Sequence, residues 1–123
     1  MDTKVKNFRD LRIWQKGIDI AKDVYNLAAS LPKEETFGLS SQMKRAAISI
    51  SSNIAEGFNR FHNKEYKQFL YIALGSCGEL ETQIEIAHSM KFISSSNKDN
   101  IINEITYLSK MISTLINRLK QPN

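Results

Sequence analysis

Apolar residues recur every three or four positions along four long segments of this 123-residue chain. That spacing places them on one face of an α-helix, whereas a half-buried strand would need an apolar residue at every second position. Only two prolines and five glycines interrupt the sequence, which permits long helices and disfavours a β protein with many turns. The pattern therefore predicts an all-α fold.

The periodicity predicts four helices, at about residues 10–31, 36–57, 63–90 and 97–120. Pro32 ends the first helix, and Gly57 is expected to end the second in a left-handed cap. Asn63 is expected to cap the third helix, and Ser96 is expected to open the fourth in a capping box with Asp99. Four amphipathic helices with short connections favour one domain, an antiparallel up-down-up-down four-helix bundle.

The first helix carries more apolar surface than the core of one bundle needs. Two neighbouring apolar rows cover about 200° of its surface, where a single buried contact needs a stripe of ~100°. The rows are Leu11, Trp14, Ile18, Ala21, Tyr25 and Ala28, and Ile13, Ile20, Val24, Leu27 and Leu31. The excess predicts a second buried contact, which we expect another copy of the chain to make.

A polar row runs along the second helix beside its apolar stripe. Its members, spaced three or four apart, are Gln42, Arg45, Ser49, Asn53 and Glu56, and Ser76 and Glu79 share a face of the third helix. We expect Arg45 and Glu79 to pair across the two helices, with the serines and Asn53 completing a buried hydrogen-bonded network. A solvated flank and a ligand or catalytic site are the alternatives.

The chain is mildly basic, with a formal net charge of +4 and a pI of about 9.2. Two groups of cations stand out in the sequence. They are Arg9, Arg12 and Lys16, expected on one face of the first helix opposite its apolar half, and Arg60, Lys64 and Lys67 near the second turn. Phe58 and Phe61 lie beside the second group. Such groups favour phosphate contact and base stacking, unless the cations are solvated and the phenylalanines cap the core.

No residue pattern indicates catalysis, a cofactor or a small-molecule substrate. Glu85 and His88 form a single Glu-x-x-His pair, whereas di-iron bundles need two with further glutamates. Cys77 lies on an apolar row, which is typical of a buried and inert thiol. One cysteine, an N-terminus without a secretory apolar core and no long apolar run lead us to expect a cytoplasmic protein outside membranes.

A family resemblance extends over nearly the whole chain, about residues 8–120. It is carried by Phe8, Leu11, Trp14, the segment LPKEETFGL, Gln42, Arg45–Ala47, Ser49, Asn53–Gly57, Ala73, Gly75, Ser76, Glu79 and Leu80. With these residues the chain resembles the bacterial four-helix bundle family that includes proteins encoded in intervening sequences of 23S ribosomal RNA genes. The accessory variability proteins of diversity-generating retroelements look like relatives.

The resemblance implies a four-helix bundle assembled into a ring-like homopentamer. For the retroelement relatives it also implies binding to a reverse transcriptase, and to nucleic acid through a basic surface. The motif Asn53–Gly57 is specific for the family and not for an activity. We therefore expect a non-enzymatic, oligomeric helical bundle that binds RNA or a ribonucleoprotein. The alternative is a protein-interaction scaffold with no nucleic-acid role.

Overall fold

A computed structural model describes residues 5–119 of the chain. Within that range it consists of four α-helices and two short 3-10 turns, without a strand. The helices are α1 (Arg12–Ala28), α2 (Leu39–Phe58), α3 (Asn63–Ser89) and α4 (Ser95–Arg118), and the turns are Phe8–Asp10 and Lys33–Glu35. The all-α prediction with four helices is confirmed. None of the helices in this range is long and apolar enough to cross a membrane.

Local hydrogen bonds move the start of α1 away from its predicted position. The Asn7 side chain accepts from the Arg9 amide at 2.9 Å, which caps the 3-10 turn Phe8–Asp10. Leu11 is extended, so α1 begins at Arg12 and not at Asp10. The helix ends at Ala28, three residues before the predicted end, and a turn then leads to Pro32.

Three of the predicted caps are wrong. Ser94, not Ser96, caps α4, because its hydroxyl accepts from the Asn97 amide at 3.0 Å. Asn63 is the first helical residue of α3 and does not cap it. Gly57 has no left-handed backbone, and α2 continues through it to Phe58. The predicted end of the fourth helix at residue 120 lies outside the described residues.

Each helix packs against two others: α1 against α2 and α4, and α3 against α2 and α4. The contacts pair late residues of one helix with early residues of the next. The Ser40 hydroxyl in the first turn of α2 donates to the Ala28 carbonyl at 3.4 Å, whereas Gly17 near the start of α1 lies against Ser51. His88 near the end of α3 lies 3.0 Å from the Ser95 hydroxyl at the start of α4.

The core is aliphatic and lies between all four helices. Its largest fully buried side chains are Ile20, Val24, Met43, Ile50, Ile54, Leu70, Cys77, Leu80, Ile84, Ile105, Leu108 and Ile112. Gly57 allows α2 and α3 to approach closely, because a Cβ there would lie 2.9 Å from the Cβ of Phe69 and 3.1 Å from the Tyr66 carbonyl oxygen. This steric demand, and not a left-handed turn, accounts for the glycine.

Candidate nucleic-acid interface

The fold brings the two predicted basic groups to the same end of the four helices. The 3-10 turn Phe8–Asp10 packs on both α1 and α2, and residues 59–62 lead from the end of α2 to the start of α3. Arg12 of α1 and Arg118 of α4 line the same cavity, so the end of α4 lies there as well. We call residues 5–13, 55–68 and 111–119 together the basic end.

The basic end holds the whole net charge of the chain. It contains seven cations, Lys6, Arg9, Arg12, Arg60, Lys64, Lys67 and Arg118, and three carboxylates, Asp10, Glu56 and Glu65. The charges of these groups sum to +4, which equals the formal net charge of all 123 residues. The charges of the remaining residues therefore sum to zero. The positive potential is therefore concentrated at one end, although the overall composition is only mildly basic.

Two of these arginines are held by neighbours. The Arg60 guanidinium pairs with Glu56 at 2.5 Å and lies 4.7 Å from the centre of the Phe69 ring. The Arg9 guanidinium donates to the Asn7 side-chain oxygen at 3.2 Å and covers the Phe8 ring. Across residues 5–119, the structure shows no ion pair for the other five cations of the basic end, Lys6, Arg12, Lys64, Lys67 and Arg118.

Lys16 does not belong to the basic end, which corrects its predicted grouping with Arg9 and Arg12. Its ammonium group pairs with Glu104 of α4 and lies 5.5 Å from the centre of the Tyr107 ring. The side chain is 23% exposed, because it lies between α1 and α4 and not opposite the apolar half of α1. Lys16 therefore joins two helices, and its charge is already compensated.

The two phenylalanines beside the second basic group differ in environment. Phe58 is half-buried and packs edge-on against Tyr66, with ring centres 6.1 Å apart. Phe61 is 93% exposed and touches the His62 ring edge-on at 5.4 Å between centres. The alternative in which both phenylalanines cap the core does not hold for Phe61. An exposed aromatic ring among cations is a surface on which an unpaired base can stack.

The polar row forms a smaller network than predicted. The Ser49 and Ser76 hydroxyls lie 2.8 Å apart across α2 and α3, and the Asn53 amide nitrogen donates to the Ser49 carbonyl at 2.8 Å. Arg45 and Glu79 are both exposed and do not pair with each other. The predicted ion pair is wrong, because long charged side chains stay in water when pairing would cost their hydration.

The ends of the predicted row also face solvent. Gln42 is exposed, and Glu56 uses its carboxylate on Arg60 of the basic end. The residues that the structure joins are thus Ser49, Asn53 and Ser76. Their hydrogen bonds are local or between two helices, so they fix the contact of α2 with α3.

The structure gives Glu85, His88 and Cys77 partners of their own. Glu85 lies 3.4 Å from the Lys98 ammonium group, and the His88 ring nitrogen lies 3.0 Å from the Ser95 hydroxyl. Among the described residues there is no cluster of three or more metal-ligating side chains. Burial raises the pKa of the Cys77 thiol, which a hydrogen bond with Ser109 offsets only in part. The thiolate needed for nucleophilic attack is therefore disfavoured.

The apolar row of α1 that contains Trp14, Ile18 and Ala21 forms a groove with α2. Trp14, Ile18 and Ala21 from α1 face Ile48 and Ala55 from α2 across a cavity of about 260 Å³. The surface continues past Tyr25 to Phe37, which is 95% exposed in the connection between the two helices. Large apolar side chains that are exposed on one continuous surface are typical of a site that contacts another protein.

Comparison with known families assigns the chain. A family model described as "23S rRNA-intervening sequence protein" matches residues 9–114. The chain belongs to this family. Its fold is similar to that of a protein of unknown function from the S23 ribosomal protein family of Bacteroides thetaiotaomicron, with 26% identity and a TM-score of 0.79 over 85% of this chain and 97% of the other. No curated protein matches the chain.

In this member of the 23S rRNA-intervening sequence family, most of the basic end lies inside the matched segment. Arg118 lies beyond it, and the sequence pattern of α4 did not single it out. Its charge becomes relevant only when the order of the helices places the last turn of α4 next to Arg12. A cation in the last turn of a predicted helix is a weak signal, because it also compensates the helix dipole.

Proposed function

We propose that this protein is a non-enzymatic RNA-binding module and that the basic end is its RNA-binding surface. The observation that supports this most is the convergence of cations from three separate parts of the sequence at the end that holds the whole net charge of +4. The family name adds support, since it connects related proteins with 23S rRNA genes.

Each group at the basic end has a distinct role in this proposal. Lys64 and Lys67 on the first turns of α3, together with Arg12 and Arg118, contact phosphates, because they have no carboxylate partner within the described range. Phe61 and His62 offer ring faces to an unpaired base. Such contacts fit single-stranded RNA better than a duplex, whose bases are stacked and inaccessible.

Charge removal tests the proposal. Fluorescence anisotropy with a labelled single-stranded oligouridylate measures the affinity of wild-type protein and of a Lys64→Gln, Lys67→Gln double variant. We expect a weaker complex and a shallower salt dependence for the variant, by about 0.7 of a slope unit per lost phosphate contact. The matched control is Lys22→Gln with Lys33→Gln, which removes two exposed cations outside the basic end. Equal losses in both double variants would contradict the proposed surface.

We also propose that the helices form an antiparallel up-down-up-down bundle and that copies of it assemble into a closed ring of five in the cytoplasm. The pairing of Ala28 with Ser40, and of Gly17 with Ser51, supports the antiparallel order of α1 and α2. The apolar groove between α1 and α2 supports a contact with a second copy. The number five rests on the family resemblance alone.

A protein-interaction scaffold without a nucleic-acid role is the second candidate. It is favoured by the same groove and by Phe37, whose ring is 95% exposed. A pull-down from cell extract distinguishes the two functions: a scaffold recovers a protein partner without RNA, whereas an RNA-binding module recovers RNA that nuclease treatment removes. A reverse transcriptase among the recovered proteins would support the predicted relation to retroelement proteins.

A further inference from the structure

A groove at the basic end separates the start of α1 from the end of α4. It has a volume of about 460 Å³, and its lining includes Leu11, Arg12, Met111, Thr114, Leu115 and Arg118. We propose that this groove binds one nucleotide of single-stranded RNA, with the base on its aliphatic floor and a phosphate between its two arginines. The assignment rests on the proposed RNA-binding function and specifies where one base is inserted.

The floor of the groove is apolar and incompletely covered. Ile13 is buried, but Leu11, Met111 and Leu115 are only half-buried, so an aliphatic surface remains accessible between the two helices. The Lys16–Glu104 pair joins α1 and α4 farther along the helices, toward Tyr107, outside the groove. The flat ring face of a base would cover this aliphatic surface and remove it from water.

The rim of the groove complements a phosphate. Arg12 comes from α1 and Arg118 from α4, and neither has an ion-pair partner within residues 5–119. Asp10 is the one carboxylate in the lining, which leaves the lining with a net positive charge. Two guanidinium groups on opposite sides of a groove can share one phosphate or stack on a base, as arginines do in single-stranded RNA recognition.

The combination of floor and rim selects the ligand class. A free phosphate would leave the aliphatic floor exposed, and a purely apolar ligand would leave the two arginines without a counter-charge. A nucleotide satisfies both parts, and its neighbours in the strand extend toward the other cations of the basic end. Phe61, in the connection between α2 and α3 at the same end, offers a second stacking surface for the same strand.

Adjacent positions on α4 provide a matched test. Thr114 lines the groove, whereas its exposed neighbour Ser113 does not. Thr114→Glu therefore places a carboxylate in the groove, and Ser113→Glu adds the same charge beside it. With labelled oligouridylate and full-length protein, we expect Thr114→Glu to weaken binding about tenfold more than Ser113→Glu does. Circular dichroism verifies that both variants are folded.

A second pair of variants separates the base contact from the phosphate contact. Met111→Gln makes the floor polar without changing charge, so affinity should fall about fivefold at an unchanged salt slope. Arg118→Gln should reduce the salt slope by about 0.7, and Lys110→Gln, an exposed cation of α4 outside the lining, is its control.

The possible outcomes test the proposed nucleotide-binding groove separately from the proposed RNA-binding function. Wild-type protein that fails to bind oligouridylate contradicts both. A second outcome contradicts the groove alone. In it, the Lys64→Gln, Lys67→Gln double variant binds more weakly than wild-type protein, whereas Thr114→Glu and Met111→Gln bind as tightly as wild-type protein. Selective loss with the groove variants, and not with Ser113→Glu or Lys110→Gln, supports the assignment.

Discussion

The Ser49 and Ser76 hydroxyls lie 2.8 Å apart where α2 and α3 meet, and Ser76 is buried there. Asn53 donates to the Ser49 hydroxyl at 3.0 Å, so the two serines form one satisfied polar cluster. The cluster takes up the inner part of the polar row and leaves Arg45 and Glu79 in water. The row therefore acts in the packing of two helices and provides no charged site.

Removing the buried hydroxyl tests the role of this cluster. We expect Ser76→Ala to lower the free energy of unfolding by about 1–2 kcal/mol, because Ser49 loses its partner on α3. Arg45→Leu should change it by no more than about 0.5 kcal/mol, because Arg45 is exposed and unpaired. Urea denaturation monitored by circular dichroism measures both. If Arg45→Leu lowered the free energy of unfolding more than Ser76→Ala, this role of the cluster would be contradicted and the predicted Arg45–Glu79 pair would be supported.

Two glycines in helices should respond to alanine in opposite directions. Gly57→Ala should destabilise the protein by about 1–3 kcal/mol, because the new methyl group meets Phe69 and the Tyr66 backbone. Gly78→Ala should stabilise it by about 0.5–1 kcal/mol, because no atom lies within 4 Å of the new Cβ and alanine favours the helix. Thermal unfolding of the two variants compares them directly. Destabilisation by Gly78→Ala would indicate that another molecule covers that face of α3.

The carboxyl group of Glu81 should make stability depend on pH. Partial burial raises its pKa above the ordinary value of 4.5, and the nearby Glu85 raises it further. A raised pKa favours the folded state when the group is protonated; this contribution is present below the unfolded pKa and is lost as pH rises through the folded pKa. Above its folded pKa, Glu81 is charged and destabilises the folded state.

We therefore expect Glu81→Gln to raise Tm at neutral pH, with a gain that vanishes as pH falls below the ordinary value of 4.5. Glu79→Gln, an exposed carboxylate on the same helix, serves as the control for loss of one negative charge. A gain of the same size at acidic and neutral pH would exclude titration of Glu81 as its cause.

The α1–α2 groove should determine the oligomeric state. Ile48 is 47% exposed and lies at the centre of this surface, so Ile48→Glu places a charge where we propose a second copy to pack. We expect light scattering to give the mass of an oligomer for wild-type protein and a smaller species for the variant. Tyr107→Glu on α4, at 49% exposure, is the matched control. If the Ile48→Glu variant had the same oligomer mass as wild-type protein, the interface would lie on another face and the proposed contact would be contradicted.

The number and type of the helices could be predicted because their apolar periodicity extends over many turns. Their ends could not, since several residues near each end compete as caps: Ser94 and Ser96 are both suitable, and the hydrogen bond to Asn97 decides between them. Gly57 is compatible both with a left-handed cap and with close helix packing, and only the position of Tyr66 and Phe69 distinguishes these.

Most of the cations of the candidate site could be predicted from the sequence, but Arg118 and the arrangement of the site could not. The sequence shows the cations near Arg9 and Arg60, but their meeting at one end, together with Arg118, depends on the order of the helices. Lys16 belongs to the same sequence pattern as Arg12, yet it forms an ion pair with Glu104 of α4. Sequence spacing describes one helix at a time, whereas these relationships arise between helices.

The salt dependence of RNA binding by the wild-type protein tests the proposed function most directly. The four cations that we assign to phosphates, Arg12, Lys64, Lys67 and Arg118, predict a slope of log K against log salt of about −3, at ~0.7 per phosphate contact. Anisotropy titrations of oligouridylate between about 50 and 200 mM salt measure this slope. A slope near −3 is the predicted result. Binding no stronger than that of a neutral control protein at the lowest salt would contradict it.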